Sequence, residues 1–293
     1  SSVTTITYAN ELPQTETSVE ETQDLIEWVT NTGGMTLAER EELDLFTSTI
    51  SDADYEGAKT AIINGLQSWS EEISIAEYNI PVEEISILYN EVRFENPNLF
   101  YITGGFSYSY SPSSLIATKL YIGYDSSFTK EDVAVYEAKV ADILDDMPKN
   151  MSEEDTVLWL HDYLVMHCGY DTTYSNYDPY TALVLGSTVC QGYSLAYSDL
   201  LNRCGVENAY VASDAMNHAW NLVCIDGEWY HVDNTWDDPL MGGEDLLGYV
   251  GHTNFLRSDD GIMETGHYAW DTTIECEDTK YDSYYWSNIN TAI

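Results

Sequence analysis

The chain has 293 residues, enough for one large domain or two modest ones with a sizeable core. It carries 51 Asp and Glu residues against 10 Lys and Arg, which gives a net charge of −41 at pH 7. Such a surface repels nucleic acid and anionic membranes, so we expect neither as a partner, and no apolar run is long enough to predict a membrane span.

The acidity has two interpretations. A solvated, solubilising surface is the simpler one, and attraction of a cationic substrate or calcium is the alternative. The segment 233–238 resembles a calcium-binding loop only loosely, because it lacks a glycine at the sixth position. We therefore expect no metal and no cofactor.

The first residues contain no pattern of a secretion signal. The chain begins Ser-Ser without methionine, and it lacks a basic segment followed by an apolar one. We therefore expect a mature or trimmed chain from which a targeting segment has been removed.

The N-terminal third is expected to be a tether followed by helices. Residues 1–20 are rich in Thr, Ser and Glu, which is typical of a tether. Residues 21–95 are interpreted as a mainly helical region. Its apolar patterns and caps predict helices at 25–29, 37–46, 51–66 and 82–92. Because this region does not combine a nucleophile, a base and an acid, we expect it to have an accessory or packing role.

The remaining residues, 96–293, are interpreted as the functional domain together with the strands and helices that lead into it. Strand patterns lie at 99–103, 106–110 and 116–124, interrupted by Gly104-Gly105 and Pro112. Two capped helices are predicted next, one after Thr129 and one after Ser152.

Cysteine usage draws attention to Cys190. The five cysteines are an odd number without a CxxC pair, which indicates neither a disulfide framework nor a zinc site. If the others pair, at least one thiol stays free, and Cys190 is our candidate. A helix pattern starts at this residue and stops at Gly205; its apolar stripe contains Tyr193, Ala196, Tyr197, Leu200 and Leu201. Backbone N–H groups at a helix start suit a nucleophilic sulfur and could also hold an oxyanion.

A hairpin is predicted after this helix. Asp226-Gly227 is typical of a two-residue type I′ turn, and it joins strand patterns at 218–225 and 228–235. Such a turn places Ile225 opposite Glu228. A register slip of one residue would turn every side chain to the other face, so any site built on this hairpin depends on the turn.

This register brings a histidine and an aspartate together. Trp220 faces Asp233 and His218 faces Thr235 when the pairing is continued along both strands. His218 and Asp233 are then diagonal neighbours on one face, roughly 7–8 Å apart at the backbone and within reach of each other's side chains.

Three chemical roles follow if the helix start meets this face. Cys190 would attack a carbonyl, His218 would take and return the thiol proton, and Asp233 would orient the imidazole. Each residue taken alone is more often structural. A zinc site made by His218, His231 and Asp233 has suitable ligand types, but it would leave Cys190 without a role.

Other residues have smaller expected roles. Tyr170 lies twenty residues before Cys190, and its phenol could donate the second oxyanion hydrogen bond, although a tyrosine is more often a core residue. Gln191, next to the nucleophile, is the rival donor. His161 and His167 are six residues apart and miss the helical spacing of a metal pair, so we interpret both as structural.

A series of short motifs runs from Val189 to Pro239. The motifs are Val189-Cys190-Gln191-Gly192-Tyr193, Gly205, His218-Ala219-Trp220-Asn221, Asp226-Gly227, Trp229-Tyr230, Asp233 and Thr235-Trp236-Asp237-Asp238-Pro239. In this order they resemble the transglutaminase-like core of bacterial secreted and surface proteins, within the papain-like cysteine-enzyme superfamily. The resemblance implies that Cys190, His218 and Asp233 form a catalytic triad. We also expect Trp220 and Trp236 to line a substrate groove.

The resemblance implies an α+β fold, a papain-like transglutaminase core with a helix packed on an antiparallel sheet, preceded here by the mainly helical N-terminal region. The implied activity is acyl transfer through a thioester on a protein or peptide substrate. An amine acceptor would give crosslinking, and water would give deamidation or proteolysis. The alternative is a catalytically silent cell-surface module that binds peptide or glycan. Together with the acidity and 24 tyrosines, the resemblance indicates a secreted or cell-surface bacterial protein.

Overall fold

The structure is a computed structural model that describes residues 25–30, 50–241, 244–245, 248–283 and 291–292. The chain divides into two compact units, one of Ser1–Arg93 with Tyr101–Phe128 and one of Phe94–Phe100 with Thr129–Ile293. The predicted tether at 1–20 and the predicted helix at 37–46 lie outside the described residues. No helix in the described part of the chain is long and apolar enough to cross a membrane.

The first unit contains a four-stranded antiparallel sheet. Its strands are β1 (Leu25–Thr30), β2 (Glu72–Ser74), β3 (Ile102–Ser111) and β4 (Ile116–Tyr124), in the order β1-β3-β4-β2. The sequence analysis assigned the residues of β3 and β4 to the region 96–293, but both strands belong to the sheet of the first unit. The Gly104-Gly105 pair does not end a strand, because β3 runs through it with a register irregularity between Ile102 and Phe106.

The helix predicted at 25–29 is wrong. This segment is strand β1, which pairs with β3 from Leu25 opposite Tyr110 to Thr30 opposite Gly105. Six residues rich in β-branched and aromatic side chains are compatible with either structure. Pairing with a distant strand decided between them, since it supplies the backbone hydrogen bonds that a short helix supplies only in part.

Two helices of the first unit follow the sequence prediction. Helix α1 (Asp52–Gln67) begins after Ser51, whose side chain accepts a hydrogen bond from the backbone N–H of Asp54. Helix α2 (Ile85–Glu95) follows a 3₁₀ turn at Val82–Glu84, directly after Pro81. The helices predicted at 51–66 and 82–92 are therefore confirmed.

The second unit contributes three longer helices. Helix α3 (Lys130–Asp146) begins with a capping box between Thr129 and Asp132, and helix α4 (Glu153–His167) is capped by Ser152. Helix α5 (Cys190–Cys204) ends at Gly205, which has the left-handed backbone conformation that glycine adopts at little cost. All three boundaries agree with the local signals in the sequence.

Helix α5 packs on a three-stranded antiparallel sheet. The strands are β7 (Asn208–Ser213), β8 (His218–Ile225) and β9 (Glu228–Val232), in that order. The predicted stripe of α5 is buried in one core cluster with side chains from β8 and β9; the contributors include Tyr193, Ala196, Tyr197, Leu200, Leu201, Val223, Ile225 and Val232. Burying a Leu side chain contributes about 1.5–3 kcal/mol, so this stripe holds the helix on the sheet. The expected α+β arrangement is confirmed.

The hairpin between β8 and β9 has the predicted register at its turn. Ile225 lies opposite Glu228, and Asp226 and Gly227 both have positive φ, 54° and 86°, as a type I′ turn requires. The ladder ends at the pair of Asn221 and Val232.

The pairs predicted beyond that point are wrong. Trp220 does not pair with Asp233, nor His218 with Thr235, because the chain leaves the sheet at Asp233 and begins the short helix α6 (Asn234–Asp237). Asp233 caps this helix through its own side chain, which satisfies backbone N–H groups that would otherwise lack partners.

Shorter elements complete the described part of this unit. They are β5 (Gly169–Tyr170), a π-helical turn (Thr181–Leu185), β6 (Ser187–Thr188), β10 (Leu240–Met241), β11 (Glu244–Asp245), β12 (Tyr249–Val250), α7 (Asp259–Glu264) and β13 (Thr291–Ala292). Strands β5 and β6 pair in parallel and bring Tyr170 beside Thr188, two residues before Cys190.

Candidate active site

Cys190 is the first residue of α5, half buried and with a free thiol. Strand β6 ends two residues before it, at Thr188, and the start of the helix lies very close to that strand. A Cβ atom placed on Gly192 would overlap the Thr188 side chain, so only glycine allows this approach. This close packing fixes the start of α5 against β6, and Cys190 occupies the first position of the helix, where backbone N–H groups have no partner within the helix.

Tyr170 lies near this sulfur. Burial, followed by the charge of Cys190 and of neighbouring tyrosines, raises the pKa of the Tyr170 phenol to about 12. The phenol therefore keeps its proton at neutral pH and can donate a hydrogen bond beside Cys190. Gln191, the rival oxyanion donor, is half buried in the first turn of α5.

His218 and Asp233 meet as predicted, although by a different route. His218 is the first residue of β8, and its Nε2 lies 2.7 Å from Oδ2 of Asp233. The side chain of Cys190 also interacts with His218. Because Asp233 occupies Nε2, Nδ1 is the nitrogen left for the sulfur. The structure thus brings Cys190, His218 and Asp233 together in one line.

The electrostatics of the pair favour its charged form. Burial opposes a charge on His218, but the charge and hydrogen bond of Asp233, followed by the interaction with Cys190, raise the pKa of His218 to about 10. Burial would raise the pKa of Asp233, yet its contacts with His218 and His267 hold that pKa below its usual range. At neutral pH the pair is therefore an imidazolium beside a carboxylate.

The Asp233 carboxylate accepts four hydrogen bonds. Its Oδ1 accepts from the backbone N–H groups of Thr235 and Trp236 at 3.0 and 3.2 Å, and its Oδ2 accepts from His218 and His267 at 2.7 and 2.8 Å. Asp233 has no exposed surface. The sequence analysis gave His267 no role at this site, since no motif or spacing connects it with the hairpin.

Two tryptophans flank His218. Trp236 is 43% exposed, and its ring stacks on His218 with 5.2 Å between centroids. Trp220 stacks on His218 at 5.6 Å but has no exposed surface. The prediction that Trp220 lines a groove is therefore wrong, because its ring is fully buried. The ring packs against His218 instead. Trp236 can still line a groove, and that role stays a prediction.

His231 lies opposite Leu222, as the register predicted, but it serves another network. Its Nδ1 accepts a hydrogen bond from Trp220 Nε1 at 2.9 Å, so its proton is on Nε2, which donates to Asp259 at 2.8 Å. Ligating atoms of His231, Asp259 and Cys276 lie within 4.8 Å of one another. With both ring nitrogens engaged in this way, His231 offers no lone pair to a metal ion, there or together with His218.

His161 is fully buried and has a structural role, as expected. Its ring bonds Asp162 through Nδ1 at 2.9 Å and Asp237 through Nε2 at 3.1 Å, which joins α4 to the end of α6. Burial lowers its pKa, but the two carboxylates outweigh that effect and raise the pKa to about 9. His167, at the end of α4, is exposed and bonds the carbonyl oxygen of Tyr163.

Comparisons with known proteins match a part of this chain. Residues 141–234 match the transglutaminase-like superfamily, a range that contains Cys190, His218 and Asp233 but not His267. Among curated proteins, no sequence matches the chain significantly.

Two solved structures resemble parts of the chain. One is a TGase, with 18% identity and a TM-score of 0.34 over 41% of this chain and 42% of that one. The other is a candidate cysteine protease from Cytophaga hutchinsonii, with 15% identity and a TM-score of 0.30 over 45% of this chain and 53% of that one. The chain thus spans about half or less of the length of these proteins. Over residues 141–234, which contain Cys190, His218, Asp233 and the helix packed on its antiparallel sheet, the chain is therefore similar to a transglutaminase-like core domain.

Proposed function

We propose that this chain is a cysteine-dependent acyltransferase that acts on a protein or peptide through a thioester. The observation that carries the proposal is the meeting of a half-buried free thiol at a helix start with a half-buried histidine, which lies 2.7 Å from a buried aspartate. Each residue type alone is common in protein cores. Their alignment, with the histidine between sulfur and carboxylate, is what nucleophilic catalysis requires.

In the first half-reaction, the Cys190 sulfur attacks an amide carbonyl and forms a C–S bond. Backbone N–H groups of the first turn of α5 would stabilise the oxyanion, together with a second donor, either the Tyr170 phenol or Gln191. The C–N bond then breaks as the His218 imidazolium gives its proton to the departing nitrogen. Ammonia leaves if the donor is a glutamine side chain, and an amine leaves if it is a peptide bond.

In the second half-reaction, an amine or water attacks the thioester. Neutral His218 takes a proton from the attacking group, and the sulfur is released to its starting state. Asp233 keeps the imidazole oriented in both steps. An amine acceptor makes the enzyme a crosslinker, whereas water makes it a deamidase or a protease.

The second candidate function is a cell-surface binding module without turnover. The exposed rings of Trp236 and Tyr174 favour it, since aromatic surfaces bind peptides and glycans with or without chemistry. A reactive Cys190 would argue against this candidate, because a binding module has no need for an activated thiol.

Mass spectrometry of a glutamine-rich protein incubated with the chain and a primary amine separates these outcomes. Amine incorporation, side-chain deamidation and backbone cleavage each support acyl transfer and identify the acceptor. The matched control is Cys190→Ser, which keeps the size of the residue and should abolish all three products. Unchanged substrate, together with a Cys190 that reacts with iodoacetamide no faster than an ordinary thiol, would contradict the proposal in favour of the binding module.

We also propose that the protein works outside a bacterial cell, as a secreted or surface-attached enzyme. The support is its net charge of −41, which keeps a protein soluble and apart from anionic surfaces. Fractionation of cells that express the native gene tests this proposal, and recovery of the protein in the cytoplasm alone would contradict it.

A further inference from the structure

We propose that His267 is a positioning residue of this site, a second imidazole that holds Asp233 in place and shares its charge with His218. The inference rests on the proposed function, since it concerns the same nucleophile and base. It adds a fourth side chain, outside the segment matched by the family, to the three that the sequence motifs identify.

The geometry places two imidazoles on one carboxylate oxygen. Nε2 of His218 and Nε2 of His267 lie 2.7 and 2.8 Å from Oδ2 of Asp233, and the two ring centroids are 5.8 Å apart. His267 is buried, with 1% exposure. Its ring packs against Trp236 at 4.2 Å and edge-to-face against Trp220 at 4.9 Å, so it has little freedom to turn away.

The hydrogen bonds around His267 show which atom carries the proton between its Nε2 and Asp233. Nδ1 of His267 lies 3.1 Å from the Thr265 hydroxyl, and that hydroxyl lies 2.8 Å from the carbonyl oxygen of Ile262. If the hydroxyl donates to His267, Nδ1 has no proton and Nε2 has one. If the hydroxyl donates to Ile262, Nδ1 donates to the hydroxyl oxygen. Nε2 then still needs a proton, because the Asp233 carboxylate, whose pKa is held below its usual range, can only accept, so the ring carries protons on both nitrogens. In either arrangement, Nε2–H of His267 donates to Asp233.

Two consequences follow for His218. First, four donors hold the carboxylate, so its Oδ2 points in one direction and the imidazole of His218 is fixed between Asp233 and Cys190. Second, Oδ2 divides its negative charge between two donors, so less of it stabilises the His218 imidazolium. Other titratable groups face this cluster: His231 interacts with His267, and Asp237 interacts with Asp233. Neither hydrogen-bonds the Oδ2 atom in the described structure.

Two substitutions separate a hydrogen-bond role from simple packing. The side-chain amide nitrogen of glutamine can occupy the place of His Nε2, whereas that of asparagine reaches only the place of Nδ1. His267→Gln therefore keeps a donor to Asp233, and His267→Asn removes it with a comparably polar side chain. Circular dichroism checks that both variants fold.

The readout is the titration of His218, followed by ¹H–¹⁵N NMR on protein labelled with ¹⁵N at its six histidines. We expect His267→Asn to raise the His218 titration midpoint by about one pH unit, because Asp233 then serves a single imidazolium. We expect His267→Gln to stay within about a third of that shift. Equal midpoints in wild type and His267→Asn, or equal shifts in both variants, would overturn the inference.

Because no substrate is needed, this measurement is independent of the proposed function. If the unaltered chain turns over no substrate while the two variants differ as expected, the proposed activity fails and the role of His267 stands. If the chain is active, His267→Asn should lower kcat by about tenfold with little change in KM, since a misoriented base affects the transition state more than binding. Loss of activity without any change in His218 titration would indicate a merely structural role and overturn the inference.

Discussion

Two histidines contact the same short helix at its two ends. His218 bonds Asp233, the cap of α6, at 2.7 Å, and His161 bonds Asp237, the last residue of α6, at 3.1 Å. Both contacts raise the pKa of the imidazole, to about 10 and about 9. The carboxylates differ, because burial raises the pKa of Asp237, whereas contacts with His218 and His267 hold the pKa of Asp233 below its usual range.

The difference lies at the second nitrogen of each ring. The second ring nitrogen of His161, Nδ1, bonds Asp162, whose carboxylate also accepts a hydrogen bond from His252 at 2.7 Å. Both ring nitrogens of His161 are therefore bonded to carboxylates, and we call this the closed pair. The second ring nitrogen of His218 faces Cys190, and the ring stacks on the exposed Trp236. We call His218 with Asp233 the open pair. The group at the remaining ring nitrogen therefore distinguishes the two histidines. A second carboxylate makes His161 a structural link, whereas a thiol makes His218 a candidate catalytic base.

The largest expected effect comes from breaking the open pair. Cys190→Ala should abolish thioester formation, and His218→Ala should lower kcat/KM by about 10³-fold or more, because each removes a group that takes part in bond making. The assay is amine incorporation or amide hydrolysis by mass spectrometry. An active Cys190→Ala variant would show that another residue is the nucleophile.

Breaking the closed pair should affect stability instead. His161→Leu leaves the Asp237 carboxylate buried without its histidine, and we expect a loss of about 3–5 kcal/mol in the free energy of unfolding. Urea denaturation measures this loss. His167→Ala, at an exposed position on the same helix, is the matched control and should change stability by less than about 0.5 kcal/mol. Equal stabilities of the two variants would contradict the structural role of His161.

The two pairs should also make stability depend on pH. Both histidines have a pKa raised above the ordinary value of 6.5. Their stabilising contribution is therefore fully present below about pH 6.5 and is lost as pH rises through about 9 and 10. Urea unfolding at a series of pH values should show falling stability across this window, with a smaller fall in His161→Leu. A stability that rises with pH in this window would contradict the assignment.

Activity should have an alkaline limit set by the open pair alone. The first half-reaction needs a proton on His218, so kcat/KM should fall as pH approaches about 10. Asp233→Asn removes the charge that raises this pKa, and it should move the alkaline limit to lower pH while reducing the maximum rate. An unchanged limit in this variant would show that Asp233 does not control the protonation of His218.

The smallest expected effect is at the exposed ring beside His218. Trp236→Ala should raise KM by a few-fold, about 1 kcal/mol in binding, with stability almost unchanged, because 43% of this side chain is already in solvent. Trp220→Phe is the contrasting variant. It removes the N–H that bonds His231 and should lower stability with little effect on KM. Steady-state kinetics and urea denaturation distinguish the two.

Local signals predicted much of the fold around this site. Caps at Ser51, Thr129 and Ser152 begin helices where expected, and Asp226-Gly227 forms the predicted turn. These features depend on hydrogen bonds and backbone conformations within a few residues. The same is true of the start of α5 at Cys190, which the motif and the apolar stripe predicted together.

Contacts between distant segments escaped prediction. Strand β1 has a composition that suits helix or strand, and only its pairing with β3 decides. The meeting of His218 and Asp233 was anticipated from a ladder that ends too early, and the cap of α6 delivers the carboxylate instead. His267 follows Asp233 by 34 residues and has no recognisable spacing to it.

The sequence by itself determined the order of Cys190, His218 and Asp233, the helix that begins at Cys190, and the tight turn that reverses the chain after His218. Tertiary structure decided how Asp233 reaches His218, which tryptophan is buried, and which second imidazole shares Asp233. The physical reason is that capping and turn formation involve neighbours in the chain, whereas the partners of a buried carboxylate are chosen by how packed segments close around it.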